Sequence, residues 1–332
     1  MAEVSVDLLD RRLLFVTGKG GVGKTAISAA IASLAAARGK RTLVCEVDAK
    51  GDLARFFETG PTDFEPREVQ PRLHIMTLTT EESLREYLKL HVRLPLIARI
   101  GPLARSFDFV ANAAPGVREI LTVGKVTWEV REDHYDLVVV DASASGHVVA
   151  QLGAPEAIEE LVKVGVVREQ TGWMQEILHD AERTGVVIVS TPEEMPVVET
   201  LELAARLRDQ TKVNLAAVVA NRVLPELFGH RERERFEQLR TPEHLEVLAG
   251  VVAGAADPSV TSAATPEVVG AVLDAAELAV ELRQGRATHL TALREGLDPT
   301  VPLLLVPELF TRSHGARATA RVADALEAEL GY

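Results

Sequence analysis

A chain of 332 residues with 47% hydrophobic and 26% charged residues has the composition of a folded globular protein, which excludes disorder for its bulk. The formal net charge of −13, from 49 acidic and 36 basic residues, argues against a nucleic acid or an anionic membrane surface as the main partner, because both are held by basic patches. One cysteine, Cys45, excludes an intramolecular disulfide and any zinc site made from two or four cysteines of one chain. The opening MAEVSVDLLDRR carries acids where a secretory signal needs a basic region, and no uncharged apolar stretch approaches the ~20 residues of a membrane span, so a cytoplasmic protein is expected.

The apolar run 13–16 reads as a strand. It leads into Gly18-Lys19-Gly20-Gly21-Val22-Gly23-Lys24-Thr25 and then into Ala-, Ile- and Leu-rich sequence with helical spacing. These eight residues satisfy G-x-x-x-x-G-K-[ST] between a strand and a helix, the context a phosphate-binding loop requires. Glycines let successive backbone N–H groups turn inward around a phosphate. The first helical turn, with Thr25 and Ala26, adds unpaired N–H groups and the positive end of the helix dipole. Lys24 is expected to reach the β- and γ-phosphates of ATP, and the Thr25 hydroxyl to ligate Mg²⁺. Lys19 is similar to the extra lysine of the deviant P-loop class, which reaches across a dimer interface to the partner's nucleotide.

Residues 41–47 read as a second buried strand ending at Asp48. Glu46 and Asp48 project to one side of it. A carboxylate at that end of a parallel strand lies where ligands bind. Asp48 can face the γ-phosphate and its attacking water, with Glu46 near Mg²⁺ or a structural partner; alternatively Asp48 is the N-cap of a helix over 51–58. Residues 61–71 read as a loop and 72–78 as a short strand. From 81 to 133 the pattern is helical, cut by Pro95, Pro102 and Pro115 into several short helices. With a second helical patch over 155–182, these residues predict a helical subdomain (81–133 and 148–183) inserted around the strand 135–141. Its Leu84, Tyr87, Leu88, Leu94, Leu96, Ile97, Ile100, Leu103, Phe107 and Phe109 either pack internally or line an apolar groove for a hydrophobic client.

The run 135–141 is a buried parallel strand ending in Asp141, the form of a Walker B strand, whose aspartate holds a Mg²⁺-bound water. The small residues of Ala142-Ser143-Ala144-Ser145-Gly146-His147 can move with the γ-phosphate, and the Gly146 N–H is a candidate sensor. Further strands are expected over 185–190, 213–219 (ending at Asn221) and 301–306 (ending at Pro307), with helices from about 191 to 209 and from 317 to 330, and a small-residue linker over 255–265. The expected fold class is α/β, a doubly wound, mostly parallel sheet in a single domain over 1–332.

Five separated segments, GKGGVGKT (18–25), DASASGH (141–147), TPEEMPVVET (191–200), NRVLPE (221–226) and VPEL (306–309), together resemble the ArsA-type ATPases, the family of the arsenite-pump ATPase and of the ATPase that delivers tail-anchored membrane proteins. The resemblance implies an ATP-hydrolysing dimeric switch with Mg²⁺. Lys19 would act in trans, Gly18 and Gly20 to Ala26 would cradle phosphate and metal, Asp48 would orient the hydrolytic water in switch I, Asp141 would stand near Mg²⁺ in switch II, and Asn221, Arg222 and Pro307 would lie about the adenine. It implies a second subunit, the same or a paralogue, and a hydrophobic client or membrane protein as partner. The family's Asp-Pro-Ala after switch I is here Asp48-Ala49-Lys50, Asp52 stands where it has asparagine, and Ala144 replaces a switch II proline. With one cysteine, the arsenite pump's tri-cysteine metalloid site and the zinc-binding CxxC of the tail-anchor ATPase are absent. A catalytically weak subunit of a heteromeric complex, or a partition-type surface organiser, are the alternative readings.

Overall fold

The computed structural model describes residues 7–47, 51–91, 116–142, 145–161, 164–229, 232, 235–236, 238–255, 264–310 and 315–332. These build an eight-stranded sheet in the order β3-β4-β2-β5-β1-β6-β7-β8. The strands are β1 (Leu13–Gly18), β2 (Thr42–Val47), β3 (Arg67–Gln70), β4 (Leu73–Leu78), β5 (Leu137–Asp141), β6 (Thr184–Ser190), β7 (Leu215–Val223) and β8 (Leu303–Pro307). All neighbours are parallel except β3 and β4.

The central strands are apolar almost without interruption because helices cover both faces. Alternation sorts their side chains. Leu14 and Val16 of β1, Val44, Val139, Val187 and Val189 face a layer made by α1 (Lys24–Ala37) and α10 (Ala316–Leu330), where Ile27, Ile31, Val322 and Leu326 close the core. Leu13, Phe15, Leu43, Cys45, Val138, Val140 and Ile188 face the opposite layer. There α4 (Val117–Arg131), α5 (Ser145–Leu161), α6 (Val166–His179), α7 (Glu194–Gln210) and the C-terminal end of α9 (Pro266–Gly296) supply Val123, Val126, Val148, Leu152, Leu178, Leu203 and Leu293. Among the described residues there are also α2 (Asp52–Phe56), α3 (Thr80–His91), α8 (Pro242–Ala255) and a 3-10 turn at Leu8–Asp10. Cys45 is fully buried, as a small core residue.

The topology sets the position of the site. From β1 the chain passes through α1 to β2, two places away, and β5 fills the gap. From β5 it passes through α5 and α6 to β6 on the other side of β1. Connections leaving in opposite directions open a crevice at the C-terminal ends of β1 and β5, where open α/β sheets bind ligands.

Three elements differ from the sequence expectation. The segment 61–71, expected as a loop, contains the antiparallel edge strand β3; the four residues of β3 are mostly exposed and only Val69 among them is apolar, so no hydrophobic pattern marks the strand. The helix expected from 155 begins at Ser145 and carries Pro155 inside it, so Ser145, Gly146 and His147 form its first turn rather than a loop. Strand β7 runs past Asn221 to Val223, with a register shift against β8 between Ala220 and Val223 and with Arg222 left-handed at φ 58°. Asp48, Ala49, Lys50, Ser143, Ala144 and the apolar residues Leu94, Leu96, Ile97, Ile100, Leu103, Phe107 and Phe109 lie outside the described residues.

Candidate nucleotide site

Gly18 ends β1 with φ 146°, and a Cβ there would stand 2.2 Å from the Val189 carbonyl oxygen of β6. Only glycine lets these two backbones approach as they do. A Cβ on Gly20 or Gly21 would meet nothing within 4 Å, so the outer side of the loop is open. Gly23 is left-handed at φ 96° and begins α1 with no side-chain cap. First-turn N–H groups have no acceptor within their own helix, and Lys24, Thr25 and Ala26 form that first turn, at the positive end of the α1 dipole.

The loop is braced from below. The Asn221 amide donates to the Val22 carbonyl at 2.8 Å, and its Oδ1 accepts from the Arg222 N–H at 3.0 Å. A Cβ on Gly23 would sit 2.4 Å from Asn221 Nδ2, so the glycine and the asparagine fit as a pair. Each polar atom of the Asn221 side chain keeps further bonding capacity, one N–H and one lone pair. Arg222 follows it in the bulge, and Pro307 is exposed at the end of β8, opposite Val223.

At the other side of the loop, Asp141 ends β5 in register with Val16 and Glu46. It is buried, accepting from the Thr25 hydroxyl at 2.7 Å and the Ser28 hydroxyl at 3.2 Å. Burial pushes its carboxyl up to about 6, against the lowering effect of those two hydroxyls and of Lys24. Ser28 did not emerge from the motif; it lies one turn beyond Thr25, and residues three apart share a helix face. Glu46 spends its carboxylate on α2, accepting from the N–H groups of Gly51 (3.1 Å), Asp52 (2.9 Å) and Leu53 (3.4 Å). It is thus a structural partner, holding the backbone at the start of α2.

The two lysines of the loop diverge. Lys24 Nζ turns back over the loop and donates to the Lys19 carbonyl at 3.1 Å. Lys19 Nζ reaches α7, pairing with Glu199 Oε1 at 2.5 Å, with both side chains about a third exposed (32% and 31%). No local signal links residues 180 positions apart, so Glu199 was invisible in the sequence. Gly146 lies in the first turn of α5, exposed, with open space around it. Among the described residues no three His, Cys, Asp or Glu side chains gather as a metal cluster.

A parallel α/β sheet with a glycine-rich strand-to-helix turn and an aspartate at the end of the adjacent strand defines a P-loop nucleotide-binding protein. The model of one such family, described as anion-transporting ATPase, matches residues 11–174 and 159–247. The chain belongs to this ArsA-type ATPase family. It is similar to the ATPase BagA of Mycobacterium tuberculosis, 32% identical over 225 residues that make up 64% of this chain and 66% of that one. It is also similar to the arsenical pump-driving ATPase of Acidiphilium multivorum, 27% identical over 266 residues, 73% of this chain and 44% of that one. The match thus spans about two thirds of the first relative and less than half of the second.

Proposed function

We propose that the chain binds and hydrolyses Mg-ATP as one half of a dimeric switch, whose closure is transmitted through its helical subdomain (81–133 and 148–183) to a hydrophobic protein client or membrane partner. The observation that carries the reading is the open, uncapped glycine cradle with the Thr25 hydroxyl and Asp141 carboxylate held together at its rim.

The residues present fit the ligands. The N–H groups from Gly20 to Ala26 and the Lys24 ammonium suit a polyphosphate. Thr25 and Asp141 offer hard oxygen donors, directly or through water, to a divalent cation, and a cation there offsets the burial that disfavours the Asp141 carboxylate. Mg²⁺, when bound, neutralises charge on the phosphate oxygens. Asp48 orients the hydrolytic water, Gly146 senses the γ-phosphate, and Asn221, Arg222 and Pro307 lie about the base, with Asn221 also steadying the loop through Val22. Lys19 is held toward α7, on the rim, from which a partner's nucleotide can recruit it.

Steady-state hydrolysis and nucleotide binding by the purified chain test this. Lys24→Ala should lose both. Lys19→Ala should still bind nucleotide but lose turnover by roughly 10³-fold, the scale of a trans-acting cation, and Asp48→Asn should accumulate the ATP-bound form. Full turnover in Lys19→Ala would overturn the trans role.

A further inference from the structure

The buried residues of α1 are alanine, isoleucine and leucine with one exception, Ser28, which is fully buried beside Asp141. Packing does not ask for a hydroxyl there, since alanine fills the next two positions of the helix. A buried hydroxyl costs free energy unless it is hydrogen-bonded, so what Ser28 bonds to explains its presence.

Its Oγ has one proton to give and two acceptors within reach, the Lys24 carbonyl at 3.0 Å and Asp141 Oδ1 at 3.2 Å. The Lys24 carbonyl is the one that the helical ladder pairs with the Ser28 N–H, so it does not depend on the hydroxyl. A carboxylate is the stronger acceptor of the two. On the other side of the same carboxylate, Oδ2 accepts from the Thr25 hydroxyl at 2.7 Å. Hydroxyls three residues apart on one helix face thus hold one oxygen each. A carboxylate held at both oxygens cannot turn about its Cβ–Cγ bond without breaking one of the two bonds, and each oxygen keeps a lone pair for a further partner.

We propose that Ser28 is a positioning residue for metal binding: by holding the Asp141 carboxylate against rotation, it presets how that group offers its remaining lone pairs to the Mg²⁺ of Mg-ATP, directly or through water. The inference rests on the assignment of Mg-ATP to this cradle. Groups that orient a metal's ligands without touching the metal commonly carry roughly 10–100-fold in metal affinity.

The test separates metal from nucleotide. Binding of the fluorescent analogue mant-ATPγS to the full chain is measured in EDTA and then across a Mg²⁺ titration. Ser28→Ala removes the hydroxyl, Ser28→Cys keeps nearly its size but is a poor donor, and Ser28→Thr keeps a hydroxyl. Ser28→Ala and Ser28→Cys should raise the half-saturating Mg²⁺ concentration by roughly 10–100-fold, leave the affinity in EDTA unchanged, and be rescued by Ser28→Thr. A half-saturating concentration that stays at the unmodified value in both Ser28→Ala and Ser28→Cys would overturn the positioning role. So would an equal loss of affinity in EDTA and in Mg²⁺, the mark of a residue that only supports the helix. If instead the unmodified chain binds the analogue no better with Mg²⁺ than in EDTA, the Mg-ATP reading fails, and the inference with it.

Discussion

Asp141 has the most exacting surroundings of any residue at the site, and they make its ionisation measurable. Its carboxyl, ordinarily near 3.8, stands at about 6 in the folded chain, chiefly through burial. Below about 4 it is neutral in both folded and unfolded states and imposes no penalty. Between about 4 and about 6 the unfolded chain ionises first, so this group's contribution to folding stability falls as pH rises, and above about 6 the loss is complete, on the order of 3 kcal/mol. Relative to the unmodified, nucleotide-free chain, Asp141→Asn should therefore gain stability from pH 4 to pH 7, read as the difference in urea midpoints. A difference that does not change with pH would contradict the account. The aspartate itself was legible in the sequence, because a buried apolar run that stops at a carboxylate is a strong pattern. Its hydroxyl partner Ser28 was less so, and the strut from Asn221 to Val22 not at all, since it joins residues 199 positions apart.

At the scale of elements, α7 has a part that its sequence pattern conceals. It packs Val197, Leu203 and Leu207 into the core while presenting Glu199 to Lys19. An ion pair about a third exposed is worth about 1 kcal/mol or less, weak enough for Lys19 to exchange Glu199 for phosphate. Glu199→Gln should accordingly change steady-state ATP turnover by no more than about fivefold, in the direction of an increase. A loss as deep as that of Lys19→Ala would instead make Glu199 a required positioning residue. The buried parallel strands were legible because helices on both faces demand unbroken apolar runs; β3 was not, because an exposed edge strand makes no such demand. The start of α5 was hidden by the small residues Ser145 and Gly146, whose weak helix propensity is overridden when Val148, Val149 and Leu152 pack against the sheet.

For the whole molecule, the order of the strands explains why residues from distant segments meet. Strand β1 lies between β5 and β6, so the glycine loop touches Asp141 on one side and, across β6, Asn221 on the other. Among the described residues no helix is long and apolar enough to cross a membrane. The central claim is that one chain completes the site of another through Lys19, and complementation tests it most directly. Lys19→Ala, which can hold nucleotide but lacks the trans lysine, is mixed with Lys24→Ala, which keeps Lys19 but cannot hold nucleotide, and ATP turnover is measured. The account predicts partial turnover from the mixture where each variant alone has almost none; a mixture as inactive as its separate components would contradict it.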